Sequence, residues 1–186
     1  LAVAIERGLD IEKYNSKDHL IQKELFNLIE NLSETKLNHI GVDGCTLPNP
    51  LIPLNKFGHL IANFSDFNKL GNLGEIAKKI YNSCVNQPDY AGGNDSDNSK
   101  LTKLLNKKAF FKNGAEGVFV AIIPEQKISI VVKILDGNAR ASSTAIAGMI
   151  SELNIIDKTK LQLFLKKPIA NSIGETIGDI SWVGEN

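Results

Sequence analysis

GVFVAIIP at residues 117–124 and KISIVVKIL at 127–135 form the stretch on which the fold turns. Both runs are rich in β-branched side chains and meet at a proline-containing turn, which predicts an antiparallel hairpin with two central strands. The surrounding sequence changes period. From Ser16, a plausible N-cap, apolar residues Leu20, Ile21, Leu25, Leu28, Ile29 and Leu32 recur at helical spacing. Similar patterns predict helices over roughly 54–64 and 73–85, a short one over 101–107, and another over 141–153 that Asn154 ends. LAVAIERG reads as the tail of a helix, and IGDISWV at 177–183 as a last strand. The predicted class is α+β, an antiparallel sheet flanked by helices, with residues 1–186 forming one unit.

The connections are legible too. HIGVDGC reads as a short strand entering a glycine turn, and LPNPLIPL is held extended by Pro48, Pro50 and Pro53. QPDYAGGNDSDNSK at 87–100 breaks every period and predicts a loop.

Charge narrows the function. Lysine plus arginine and aspartate plus glutamate number 21 each, so the formal net charge is zero. There is no basic field to gather nucleic acid or anionic lipid. No apolar run approaches the roughly 18 to 20 residues of a membrane-spanning helix. Two cysteines, Cys45 and Cys84, are too few for a disulfide framework, which favours the cytoplasm. Cys84 falls on a predicted amphipathic helix and reads as a buried free thiol.

Lys133 is the most informative single residue, because it interrupts an apolar run whose same-face members are Val131 and Leu135. Burial disfavours an ammonium, so a central-strand lysine can serve as a general base or activate a hydroxyl nucleophile. On an edge strand, the same lysine would merely discourage aggregation. GVDGC joins an acid to a thiol through glycine, so Asp43 and Cys45 can face one site. A structural zinc site wants about four ligands, however, and a capping aspartate beside a small cysteine explains the pattern equally. KNGAEGVFV and LDGNAR set glycines and acids, among them Glu116 and Asp136, at strand ends where backbone N–H groups can face a ligand; ordinary turn chemistry accounts for them as well. His19, His39 and His59 are dispersed without metal-site spacing, and no G-x-S-x-G occurs.

Taken in order, GVDGCTLPNPLIPL, FKNGAEGVFVAIIP and VVKILDGNARASS resemble the L-asparaginase II family, the rhizobial-type group. LAVAIERGLDIEKY and DHLIQ match the helix that in that family follows a Cys-x-Gly-Lys-His motif. The resemblance implies a serine-dependent amidohydrolase with a fold akin to glutaminases and serine β-lactamases, hydrolysing L-asparagine to L-aspartate and ammonia as a homodimer. It implies a Ser-x-x-Lys pair and a second serine in an N-terminal part missing from this chain, with a further lysine corresponding to Lys133. It makes Cys45 a zinc ligand whose partners lie in the missing part, and Asp43 its neighbour. Glu116 and Asp136 then become substrate-binding or supporting residues. On this view the 186-residue polypeptide alone is inactive. One position departs: Asp95 in AGGNDSDN stands about where the family tends to have an arginine, so a carboxylate clamp is lost, or passes to Arg140 or an upstream arginine. The alternative is a catalytically inactive remnant or amino-acid-binding module of the same fold. A comparison of Lys133 with the K-T-G strand of penicillin-recognising enzymes ranks last, because Ile134 replaces the serine or threonine.

Overall fold

The computed structural model describes residues 1–184. Where a single unit is expected, the contacts gather into two compact units, Leu1–Phe64 and Ser65–Asn186. Composition cannot show this boundary, because it falls at the end of a helix without any glycine, proline or charge run to mark it.

The first unit holds α1 (Ala2–Glu6), α2 (Leu20–Ser33), the paired strands β1 (Ile40–Val42) and β2 (Pro48–Pro50), and α3 (Leu54–Ser65), whose last residue opens the second unit. The N-cap of α2 is His19 rather than Ser16: its Nδ1 accepts the Ile21 N–H at 3.2 Å. Ser16 forms a turn of its own just upstream, its hydroxyl accepting the Asp18 N–H at 3.3 Å. The expected extended segment does pair, Val42 against Pro48 and Ile40 against Pro50. Prolines bring no donors to that ladder. Flanking bonds hold it instead, Asp43 N to Leu47 O and Leu51 N to His39 O, both 2.9 Å.

The second unit runs α4 (Gly74–Asn86), α5 (Pro88–Gly92), α6 (Asp97–Leu104), β3 (Phe110–Asn113), β4 (Val118–Ile123), β5 (Ile128–Lys133), α7 (Ser142–Glu152), α8 (Gln162–Leu165), β6 (Lys166–Ala170) and β7 (Thr176–Ser181). The 117–135 hairpin forms, with Ala121 opposite Ile130, and Lys127 turns the chain at φ 54°. Two expectations need correction. The 87–100 segment is helical at both ends: Pro88 opens α5, and the Ser96 hydroxyl caps α6 by accepting the Ser99 N–H at 3.2 Å. The hairpin strands are not both central either. An unforeseen strand, β3, pairs with β4, and the order β3-β4-β5 leaves β5 on the edge.

The core lies on one face of this sheet. Phe111, Phe119, Ala121, Ile123 and Ile130 pack with Leu101 of α6 and Leu105 just after it, Ile146 and Ile150 of α7, and Phe164 of α8. Phe111 and Phe119 meet edge to face, their centroids 6.5 Å apart. β4 is buried on both faces, as a central strand must be, while β6 and β7 form a separate, largely exposed ribbon.

α7 buries Ser142, Ser143 and Thr144 in its first turn. Thr144 Oγ1 is buried and has no hydrogen-bond partner among the described residues. Valine keeps the shape and drops the orphan hydroxyl, so Thr144→Val should raise the unfolding free energy by about 1 kcal/mol. A lowered urea midpoint would show that the hydroxyl is satisfied.

Candidate active site

Three of the five residues singled out from the sequence come together at one end of the three-stranded sheet. The turn joining β3 to β4 closes with Gly114 N–H donating to Val118 O at 2.8 Å, and it carries Glu116 at φ 54° and Gly117 at φ 69°. Beside it runs the exit of β5, where Lys133 pairs with Val118 and Ile134 N–H donates to Gly117 O at 3.1 Å. A side chain at 117 would meet Ile134 Cβ at 2.7 Å, and one at 137 would strike the Glu116 carboxylate. Glycine at both positions is what lets the two turns approach. Asp136 shapes the second turn: one oxygen accepts the Asn138 N–H and the other the Arg140 guanidinium, both at 2.9 Å.

The expectation of a buried, central-strand lysine is corrected. Lys133 is the last residue of an edge strand, lies on the face opposite the core, and is exposed. Its ammonium donates to Ile134 O at 2.7 Å. In this chain the lysine therefore has the edge position that the simpler alternative describes. Arg140 is held by Asp136, and Asp95 stands exposed in a left-handed turn at φ 59°, so neither position offers a free guanidinium clamp.

Asp43 and Cys45 belong to the first unit and sit in the β1–β2 turn. Asp43 accepts the Gly44 N–H at 2.7 Å and Cys45 is an exposed free thiol. A thiolate and a carboxylate two residues apart suit zinc in kind. Among the described residues, however, no group of three or more histidines, cysteines or acids gathers to complete a site. Cys84 lines a groove along α4 and is half-buried rather than buried, and burial pushes its thiol pKa up.

One S-x-x-K spelling does occur in the chain, Ser33-Glu34-Thr35-Lys36. Such a pair needs both side chains on one helical face. Here α2 ends at Ser33, Glu34 is left-handed at φ 51°, and Lys36 leaves the helix to bind Glu30 at 2.6 Å. Ser33 is fully buried and reaches Glu30 O instead. The spelling is accidental.

A second polar cluster has no signature in the sequence. Lys167 of β6 donates to Asp97 of α6 at 2.6 Å and to Ser143 of α7 at 2.9 Å, tying together elements 24 and 70 residues apart in the chain. Burial works to raise the Asp97 pKa, but hydrogen bonds from Lys167 and Ser143, helped by the Lys167 and Lys100 charges, outweigh it and hold the carboxyl below its usual range. A carboxyl depressed in the folded state contributes stability above its unfolded pKa of about 3.9, and that contribution is lost as pH falls through the folded value. Asp97→Asn should therefore lower Tm at pH 7 and flatten its decline below about pH 4. Parallel acid limbs for the two proteins would show that the cluster is not coupled to folding.

A sequence model described as L-asparaginase II matches residues 1–182. No curated protein matches the chain. No helix among the described residues is long and apolar enough to cross a membrane.

Proposed function

Because the chain belongs to the L-asparaginase II family, we propose that it forms part of an amidohydrolase converting L-asparagine to L-aspartate and ammonia. The nucleophilic serine lies outside residues 1–186, and Lys133 is the lysine that this chain contributes. The observation that carries the reading is the convergence of Lys133, Glu116 and Asp136 where the β3–β4 turn meets the exit of β5.

The chemistry is ordinary acyl transfer. A serine hydroxyl is a poor nucleophile at its normal pKa, and a neutral lysine amine can accept its proton. The alkoxide adds to the side-chain amide carbon, and the tetrahedral adduct collapses as the nitrogen takes a proton and leaves as ammonia. Water then attacks the acyl-serine ester, releasing aspartate and restoring the hydroxyl. Asp136 fixes the turn that follows Lys133, and Glu116, whose carboxylate lies beside Gly137, offers an anion to the substrate's ammonium. Cys45, with Asp43 beside it, would supply part of a zinc site whose other ligands come from outside this chain; the metal would tie the β1–β2 turn to that segment. Cytoplasmic residence and a homodimer complete the proposal.

The test is intact mass combined with ammonia release from L-asparagine. The 186-residue polypeptide should release no ammonia above the blank, whereas a protein that also carries the upstream Ser-x-x-Lys should. In the latter, Lys133→Ala should lower kcat by at least about a hundredfold, the ordinary worth of a positioned proton acceptor. Turnover by the isolated chain would overturn the division of the site. The competing reading, an inactive amino-acid-binding module, is favoured by Asp95 in the loop, and it predicts calorimetric binding of L-asparagine without ammonia from either protein.

A further inference from the structure

We propose that the cavity between α6 and α8 binds a phosphate monoester with an apolar or aromatic body. The proposal does not rest on the hydrolase reading. The cavity measures about 660 Å³, within the range of small-molecule sites. Its apolar lining is Leu104, Leu163 and Phe164. Leu163 stands 85% exposed beside it, although Phe164 next to it is buried.

Charge selects the ligand. Four lysines and one acid, Asp97, line the cavity in a chain whose overall charge is zero. Lys167 is paired with Asp97 at 2.6 Å and Lys103 with Asp89 at 2.7 Å. Lys100 and Lys160 make no ion pair among the described residues; Asp97 acts on Lys100 and Asp157 on Lys160 only at longer range. Two lysines without a direct ion pair thus line the cavity, and a phosphate monoester near neutral pH carries about −1.5 to −2. A monocarboxylate would leave about half of that field unanswered. Lys167 adds a preorganised donor: an ammonium has three N–H groups, two of which are fixed on Asp97 and Ser143. Leu104, Leu163 and Phe164 supply the surface against which the organic body of the ester leaves water.

Calorimetric titration of the full chain with 1-naphthyl phosphate, inorganic phosphate and 1-naphthol separates the contributions. The ester should bind at least about tenfold more tightly than either fragment, since charge and apolar contact each contribute 1 to 2 kcal/mol. K100Q combined with K160Q should cost about tenfold, and Leu163→Ser a few-fold, with circular dichroism unchanged because all three side chains are exposed. The proposal fails if the ester binds no more tightly than inorganic phosphate. It fails equally if the doubly substituted protein binds it as well as the parent; should that variant not fold, undiminished binding by Leu163→Ser is the overturning result.

Discussion

Phe119→Ala is expected to remove about 4 kcal/mol of unfolding free energy, within the range for emptying a fully buried aromatic site. Phe119 is 1% exposed on the central strand, edge to face with Phe111 and opposite Val132 across the ladder. Nothing near it collapses easily: Ala121, its same-face neighbour on β4, is already small, and α7 is pinned against the sheet by Ile146 and Ile150. Total stabilities of single domains are about 5 to 15 kcal/mol, so the variant should lie close to unfolding at room temperature. The control is Val131→Ala on the other face, half-buried, which should cost no more than about 1 kcal/mol. Urea melts of the two variants measure the difference; equal midpoints would mean that the core is not on the face described.

Gly148→Ala should cost about 3 kcal/mol, a large effect for a change that usually favours a helix. Gly148 lies in the middle of α7, and Trp182 packs its indole directly on it. A methyl group there would fall inside the contact distance of three ring atoms of a rigid side chain. The indole must move, and with it two bonds: Nε1–H to Glu152 at 3.1 Å and the Trp182 N–H to Leu165 O at 2.8 Å. Trp182 is the only tryptophan, so its fluorescence reports the displacement without interference. The expected result is a red-shifted emission together with a lower Tm. An unchanged spectrum and a higher Tm, the ordinary outcome of glycine to alanine in a helix, would remove Trp182 from that contact.

What the amino-acid sequence determined by itself is local and periodic. The β-branched runs at 117–135 became a hairpin because their side chains suit a pleated ladder and Pro124 turns the chain between them. The helical periods at 20–32, 54–64, 73–85 and 141–153 each produced a helix within a few residues of the expected ends. Three ordered motifs carried the family, which the match over residues 1–182 bears out. What the tertiary structure decided is everything that depends on neighbours distant in sequence. Whether Lys133 sits on a central or an edge strand depends on β3, four residues whose pairing no local pattern announces. The loop at 87–100 lacks a repeating apolar face, so its short helices rest on a proline start, a serine cap and burial of Leu101 rather than on periodicity. Asp97, Ser143 and Lys167 meet only because α6, α7 and β6 converge, and Gly148 matters only because Trp182 folds back over it. Periodicity records which face of an element is buried; the partner that covers it is chosen by packing, and packing is not written in any one segment.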